Sequence, residues 1–270
     1  MKHIKIILVM ALAAMLAAGC GNKSGRLVIL HVNDTHSHFD PLRDGRGGVI
    51  ERAAFIDSVR KAEGADHVML VHAGDFNQGT SYYTLMGGQL EVDVINAMGY
   101  DVITLGNHEF DNGIEDLDAR IQQIKCPVVC ANYDFSPFPM GDKITPYTVI
   151  KKAGHKIGVI GLLCDIKVVV SRATADRVPC LGDNAQIANK WARYLREQEG
   201  CDIVFLLTHI GFSEDCALVP KLHGVDFIIG GHSHTFIDEP KVVKDLDGRP
   251  VPVVQNGCWG EDVGAFTILD

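Results

Sequence analysis

The sequence predicts an α/β fold in which β-sheets are covered by helices. Short apolar runs rich in β-branched residues alternate along the chain with amphipathic stretches of helical length. The runs are mostly continuous rather than alternating apolar and polar, which is typical of strands buried on both faces. Strands and helices that alternate in this way build layered structures, with the sheets inside and the helices outside.

Ten apolar runs are predicted to be strands, and five amphipathic stretches are predicted to be helices. The strands are Leu27–Val32, His67–His72, Val102–Leu105, Val128–Ala131, Tyr147–Ile150, Ile157–Leu163, Ile203–Leu207, Phe227–Ile229, Val251–Gln255 and Ala265–Leu269. The helices are Val49–Ala62, Gln89–Met98, Ile114–Ile124, Ala185–Glu197 and Asp215–Leu222.

Local turn signals refine this pattern at three places. Gly182-Asp183-Asn184 precedes the fourth helix as an N-cap sequence. The strands on either side of Lys151-Lys152-Ala153-Gly154-His155 are predicted to form a hairpin. Residues 134–146, with three Pro and one Gly, are predicted to be the longest loop.

The N-terminus is predicted to be an export signal. Lys2, His3 and Lys5 precede an apolar run over residues 6–18, which is too short to span a bilayer. The run ends in Leu-Ala-Ala-Gly-Cys at residues 16–20, which resembles the lipobox of bacterial lipoproteins. We therefore expect a signal peptide over residues 1–19, a lipidated Cys20 and a short tether over residues 20–25. A cleaved signal with an incidental Cys20 is the alternative.

These signals place the rest of the chain, residues 26–270, in one domain outside the cytoplasm, held by lipid to a bacterial membrane at the periplasmic face or cell surface. The seven remaining Cys are odd in number and contain no Cys-x-x-Cys, so most are expected to be small buried hydrophobes.

The overall charge disfavours nucleic acid polymers as partners, and the histidine content favours metal ions. The chain carries 34 Asp and Glu against 25 Lys and Arg, a net charge of −9. Such a surface repels a nucleic acid polymer unless positive charge is concentrated locally. The 12 His exceed what a core usually needs and favour metal chemistry.

Five predicted strands end in residues that commonly bind metal ions. In open α/β sheets the carboxyl ends of the strands form the ligand-binding edge, so these side chains are expected to meet in one crevice. The five sequences are Asn33-Asp34-Thr35-His36, Gly74-Asp75, Gly106-Asn107-His108-Glu109-Phe110-Asp111, Thr208-His209 and Gly231-His232-Ser233-His234.

The donor types predict two ions rather than one. Each motif alone is also typical of an ordinary turn or helix start, but five in matching positions favour a shared function. Carboxylate, imidazole and amide oxygen suit Zn, Mn, Fe or similar ions. Seven such donors are too many for one tetrahedral ion, whereas two ions about 3.5–4 Å apart can share one carboxylate and bind a phosphoryl group.

In this order, the motifs resemble those of the calcineurin-like metallophosphoesterase superfamily. Asn33-Asp34-Thr35-His36 together with residues 106–111 resembles the 5′-nucleotidase branch. The resemblance covers about residues 26–270. It implies two mixed β-sheets sandwiched between helices, a four-layer αββα fold.

The resemblance also implies a role for each donor. Asp34, His36 and His234 would bind the first divalent metal ion. The second ion would be held by Asn107, His209 and His232. Asp75 would bridge the two. The family often carries Gln or Asn at the position of His234, so metal preference is expected to differ here.

The histidine of Gly-Asn-His is not a metal ligand in this family. The resemblance therefore implies that His108, oriented by Asp111, contacts the phosphoryl oxygens or the leaving group, while a hydroxide bridging the two metals attacks phosphorus. The expected reaction is hydrolysis of small phosphate monoesters, above all nucleoside 5′-monophosphates. A phosphodiesterase acting on cyclic nucleotides or other small diesters is one alternative, and a non-catalytic metal-binding surface lipoprotein is another.

One departure from the branch concerns substrate recognition. Its members usually continue into a C-terminal domain that stacks the nucleoside base between aromatic rings, whereas this sequence ends at Asp270. Two expectations follow: either a separate chain supplies the nucleotide-binding half, or small phosphate esters are hydrolysed without recognition of a base.

Overall fold

The computed structural model describes residues 8–11 and 25–269. Most of the expected signal peptide, together with Cys20 and nearly all of the tether, lies outside these ranges, so those assignments stay predictions. Within the described ranges, every helix is too short or too polar to cross a lipid bilayer.

The strands form two mixed sheets, as the resemblance implied. The first sheet has the spatial order β1-β13-β2-β3-β4-β5-β6, and the second has the order β11-β12-β10-β9-β8-β7. The strands are β1 Leu8–Ala11, β2 Leu27–Val32, β3 Val68–His72, β4 Val102–Thr104, β5 Val128–Val129, β6 Ile144–Thr145, β7 Tyr147–Lys152, β8 His155–Leu163, β9 Ile203–His209, β10 Phe227–Ile229, β11 Lys241–Lys244, β12 Pro250–Val254 and β13 Gly264–Ile268.

The helices occupy the segments between the strands. They are α1 Val49–Glu63, α2 Ser81–Met86, α3 Gln89–Met98, α4 Ile114–Ile121, α5 Ile166–Val169, α6 Arg172–Ala175, α7 Asn184–Glu197 and α8 Phe212–Leu218. The Asp183 side chain caps α7 by accepting from the backbone N–H of Gln186, as expected. The last predicted helix is shifted: α8 begins at Phe212, and a 3₁₀ turn over Val219–Lys221 follows, because Pro220 has no N–H to continue the α-helical ladder.

Alternating residues of the central strands point into two different apolar layers. In β2, Leu27 and Ile29 pack between the two sheets, whereas Val28 and Leu30 face helices α1 and α3. In β8, Ile157 and Val159 enter the layer between the sheets, whereas Ile160 and Leu162 face α7. This alternation produces the four layers, helix–sheet–sheet–helix.

The sheets differ at their edges from the predicted pattern. The hairpin of β7 and β8 is present, with Ala153 and Gly154 at its turn. The segment predicted as a loop over residues 134–146 contains a 3₁₀ turn at Pro139–Asp142 and the two-residue strand β6. Strands β1, β6 and β11 were not predicted. The exposed pattern of β11 gives little apolar signal, because this strand lies at a sheet edge.

Parallel pairing brings the important strand ends to one side. Strands β2, β3 and β4 run parallel in the first sheet, and β8, β9, β10 and β12 run parallel in the second. The segments after β2, β3, β4, β9 and β10 therefore meet at the carboxyl edge of both sheets.

Candidate metal centre

The structure brings the seven residues predicted to bind metal together at this edge. Asp34 and His36 follow β2, Asp75 follows β3 and Asn107 follows β4. His209 is the last residue of β9, and His232 and His234 follow β10. Six of them form two clusters in which the possible ligand atoms lie within 4.8 Å of one another; a third such group joins His36 and Asp75 to His108.

The first cluster consists of Asp34, His36 and His234. The Nε2 atoms of His36 and His234 are 3.0 Å apart. His234 Nε2 lies 3.3 Å from Asp34 Oδ1, and His36 Nε2 lies 3.8 Å from the same oxygen. Three ligand atoms thus converge on one point, which is the arrangement expected around an ion.

The second cluster consists of Asp75, His209 and His232, with Asn107 beside it. His209 Nε2 lies 3.0 Å from Asp75 Oδ2, and His232 Nδ1 lies 2.9 Å from Asn107 Oδ1. His209 Nδ1 is within 2.7 Å of the carbonyl oxygen of Ala73, so this nitrogen carries the proton and Nε2 presents its lone pair to the cluster.

Asp75 lies between the two clusters. Its Oδ2 atom is 3.0 Å from His209 Nε2 and 3.9 Å from His36 Nε2, the nearest imidazole of the other cluster. Its Oδ1 atom accepts a hydrogen bond of 2.8 Å from the backbone N–H of His108. The bridging role that the resemblance implies for Asp75 requires a carboxylate between the clusters, and it stays a prediction.

Five of the seven residues have left-handed backbone conformations that side chains normally avoid. Their φ angles are 49° for Asp34, 46° for His36, 53° for Asp75, 80° for His232 and 54° for His234. Non-glycine residues with positive φ are uncommon, and local strain of this kind concentrates at functional sites. The turns after β2, β3 and β10 thus bend sharply enough for their side chains to face one another.

His108 lies next to the first cluster but is held differently. Its ring centroid is 5.2 Å from that of His36, and its Nδ1 atom is 2.8 Å from Asp111 Oδ2. The hydrogen bond to Asp111 raises the pKa of His108 above its ordinary value, although partial burial opposes the shift. Asp111 is thus hydrogen-bonded to the ring that it is expected to orient.

Glu109 organises the turn that carries Asp75, a role that was not predicted. Its buried carboxylate accepts backbone hydrogen bonds from Gly106, Asp75, Phe76 and Asn77, at 2.5–3.1 Å. Burial and the nearby Asp75 raise the pKa of Glu109 to about 7, although the backbone donors favour ionisation. The only signal in the sequence was the position of Glu109 beside His108.

Asn33 is a second residue whose role was missed, although it was part of a quoted motif. Its Nδ2 atom donates to Asp34 Oδ2 at 2.7 Å and to the carbonyl oxygen of Gly257 at 2.7 Å. Its Oδ1 atom accepts from the backbone N–H of Asn256. The amide therefore fixes the Asp34 carboxylate to a loop 223 residues further along the chain.

The donors fit divalent metal ions on two structural grounds. His209 Nε2 is fully buried and faces Asp75 Oδ2 at 3.0 Å without meeting the geometry of a hydrogen bond, and the facing nitrogens of the first cluster repel each other unless a cation or proton lies between them. The charge balance agrees: although burial opposes protonation, the Asp75 and Asp34 carboxylates raise the pKa of His209, so they favour a positive charge at Nε2, either a proton or a metal ion in its place.

A four-layer domain with these His–Asp clusters at the carboxyl edge of its strands defines the class of metallophosphoesterases. The chain belongs to the calcineurin-like phosphoesterase family, whose model matches residues 27–236. Proteins of this family use divalent metal ions.

One relative and two solved structures show where in the family the similarity is strong. The chain is 31% identical to 5′-nucleotidase of Rattus norvegicus over 304 residues, which cover 97% of this chain and 49% of the rat protein. The crystal structure of 5′-nucleotidase precursor from Thermus thermophilus superposes with a TM-score of 0.82 at 33% identity, over 90% of this chain and 51% of that one. Haemophilus influenzae NAD nucleotidase gives a TM-score of 0.81 at 31% identity, over 90% and 47%. The chain thus spans about half the length of these relatives.

Proposed function

We propose that this chain hydrolyses phosphate monoesters at a pair of divalent metal ions, and that nucleoside 5′-monophosphates are its substrates. The observation that carries this proposal is the position of Asp75, whose carboxylate lies between two His–Asp clusters and also accepts from the backbone of His108. Nucleotide substrates are supported by the similarity to 5′-nucleotidases across most of this chain.

In this proposal the two clusters hold one ion each. Asp34, His36 and His234 bind the first, while Asn107, His209 and His232 bind the second, and Asp75 contacts both. When bound, the pair would activate water as the nucleophile and would supply positive charge for the phosphoryl oxygens. Local positive charge also explains how an acidic protein binds an anion.

His108 protonates the leaving group in this proposal. Asp111 accepts from Nδ1, so the ring is held with Nε2 free to contact substrate. Because the Asp111 hydrogen bond favours the imidazolium form, His108 retains a proton that it donates to the departing alkoxide.

We propose in addition that the chain is exported and anchored to a bacterial membrane through a lipid on Cys20. The basic residues, apolar run and lipobox-like sequence of residues 1–20 support this. Expression of the full chain in a bacterial host and fractionation test it: the protein is expected with the membranes, and a Cys20→Ser variant is expected to lose its lipid label. Equal labelling of both proteins contradicts the assignment.

Hydrolysis is tested with purified protein supplied with Mn²⁺, Zn²⁺ or Co²⁺. We expect turnover of p-nitrophenyl phosphate and adenosine 5′-monophosphate, with an Asp75→Ala variant prepared identically as the control for contaminating phosphatases. Turnover of bis-p-nitrophenyl phosphate alone would identify a phosphodiesterase, and turnover of no ester would favour a binding protein.

A further inference from the structure

A cavity lies beside the first metal cluster and has no role in the chemistry described above. It has a volume of about 420 Å³, within the range of small-molecule sites. Phe236 and Cys258 line it, and Gly257, also in its lining, accepts a hydrogen bond from the Asn33 amide that contacts Asp34. One hydrogen-bonded side chain, that of Asn33, therefore connects the cavity wall to a proposed metal ligand.

Phe236 supplies an aromatic surface in this cavity. Its side chain is 42% exposed although the residue is only two positions from His234. The chain around it is held firmly: Ile237 N–H donates to the carbonyl of Gln255, and Gly257 N–H donates to the carbonyl of Thr235. A side chain at Gly257 would come into van der Waals contact with Phe236, so the Gly257 backbone lies beside the ring, part of which stays accessible.

The wall of the cavity is tied to the metal centre through one amide. The Asn33 amide donates to the Asp34 carboxylate and to the carbonyl oxygen of Gly257. Its oxygen accepts from the backbone N–H of Asn256. The ring of Phe236 is thus held at a defined position relative to Asp34, without a flexible connection between them. Such rigid connection is what positions the two parts of one substrate.

The charges of the cavity indicate the kind of group it accepts. The Arg46 guanidinium is already engaged by Asp44 at 2.8 Å and by Glu261 at 2.6 Å, so its charge is largely balanced. Glu261 and Asp262 leave the lining slightly acidic. An additional anionic group is therefore disfavoured here, whereas an uncharged ring bearing hydrogen-bond donors fits.

We propose that this cavity binds the uncharged aromatic part of the ester, a nucleobase or similar ring, by stacking on Phe236 while the phosphoryl group lies at the metal clusters. Phe236 is then a specificity-determining residue within the catalytic domain itself. This inference rests on the proposed hydrolysis of phosphate monoesters and adds the location of the leaving group.

The test compares two esters that differ only in the base. Adenosine 5′-monophosphate and ribose 5-phosphate share the ribosyl 5′-phosphate, so a ratio of their kcat/KM values reports on the ring alone. A Phe236→Ala variant is expected to lower kcat/KM for adenosine 5′-monophosphate by about tenfold, the scale of one lost stacking contact, and to leave ribose 5-phosphate unchanged. Phe236→Tyr is expected to retain most of the discrimination.

Trp259 provides the matched control. Its side chain is 40% exposed on the same loop, but its ring stacks on His38, with centroids 5.1 Å apart, and it does not line the cavity. A Trp259→Ala variant is expected to leave the ratio of the two esters unchanged. Equal losses for both esters in Phe236→Ala, or a selective loss in Trp259→Ala alone, would overturn the assignment.

A binding measurement separates this inference from the proposed activity. Saturation-transfer NMR with adenosine and the metal-supplied protein is expected to show contact with the base, weakened about tenfold in affinity by Phe236→Ala. If the protein hydrolyses no ester but binds adenosine in this manner, the proposed function fails and the cavity assignment stands. If it hydrolyses esters but wild type binds no adenosine, the cavity assignment fails alone.

Discussion

The Nε2 atoms of His36 and His234 face each other at 3.0 Å, although the two residues are 198 positions apart in the chain. The Nδ1 atom of His36 is 3.2 Å from the carbonyl oxygen of Asn77, so it carries the proton and leaves Nε2 as a lone pair. Two imidazole nitrogens approach this closely when they share a cation or a proton. Their contact supports a cation in the first cluster more directly than any single motif does.

Replacement of His234 by Asn is expected to weaken metal binding without abolishing activity. An amide oxygen replaces one imidazole nitrogen, and this family often carries an amide at this position, while Asp34 and His36 remain. Metal titration followed by activity is expected to show a higher metal concentration for half-maximal rate and a similar maximum. Complete inactivity at saturating metal would show that imidazole is indispensable here.

Replacement of Asp75 by Ala is expected to abolish activity and to remove much of the bound metal, because the carboxylate contacts both clusters. Elemental analysis of metal-supplied protein measures the stoichiometry, and Asp57→Ala, an exposed carboxylate on α1, is the control. Two ions per chain in Asp75→Ala would contradict the bridging assignment.

Replacement of His108 by Ala is expected to lower kcat by about 10²–10⁴-fold, the usual effect of losing a general acid, with the metal content unchanged. His223 is a matched control, because its Nδ1 atom also pairs with an aspartate, Asp247, at 2.9 Å, but on the exposed surface. His223→Ala is expected to retain full activity. Loss of metal from His108→Ala would instead identify His108 as a ligand.

The hydrogen bond from His108 to Asp111 predicts a change in pH dependence. This bond raises the pKa of His108, so the protonated acid persists to higher pH and kcat falls only as pH rises through that pKa. An Asp111→Asn variant lacks the carboxylate, so the pKa of His108 falls and the alkaline decline of kcat moves to lower pH. Profiles of kcat against pH measure the shift, with Asp247→Asn as control. If the alkaline decline of kcat stays at the same pH in Asp111→Asn, Asp111 does not set the pKa of the titrating acid.

Replacement of Glu109 is expected to lower both the stability of the fold and the affinity for metal. In Glu109→Gln an amide N–H₂ group replaces one of the carboxylate oxygens that accept backbone hydrogen bonds. Buried N–H groups of the Asp75 turn therefore lose their partner. We expect the free energy of unfolding to fall by about 1–3 kcal/mol and the affinity for metal to decrease with it. Denaturant unfolding and metal titration measure both, and the exposed Glu115→Gln is expected to change stability by less than about 0.5 kcal/mol.

The sequence was sufficient to predict which polar side chains meet at one edge and which strands carry them. Asp34, Asp75 and His209 were recognisable because apolar strands and their polar ends are local patterns, and the carboxyl ends of parallel strands share an edge. The ten predicted strands are all present, and the β7–β8 hairpin turns where expected. The edge strand β11 was missed because its residues are mostly exposed and leave no apolar run.

The roles of Glu109 and Asn33 and the cavity at Phe236 emerged only from the folded chain. Each depends on contacts between segments that are remote in sequence, such as Asn33 with Asn256, and on the exact bend of turns with positive φ. Donor chemistry and strand periodicity are properties of neighbouring residues and can be recognised in the amino-acid sequence alone. Distances between side chains, the hydrogen bonds that orient them and the space left beside them arise when two sheets pack together, so no linear pattern encodes them.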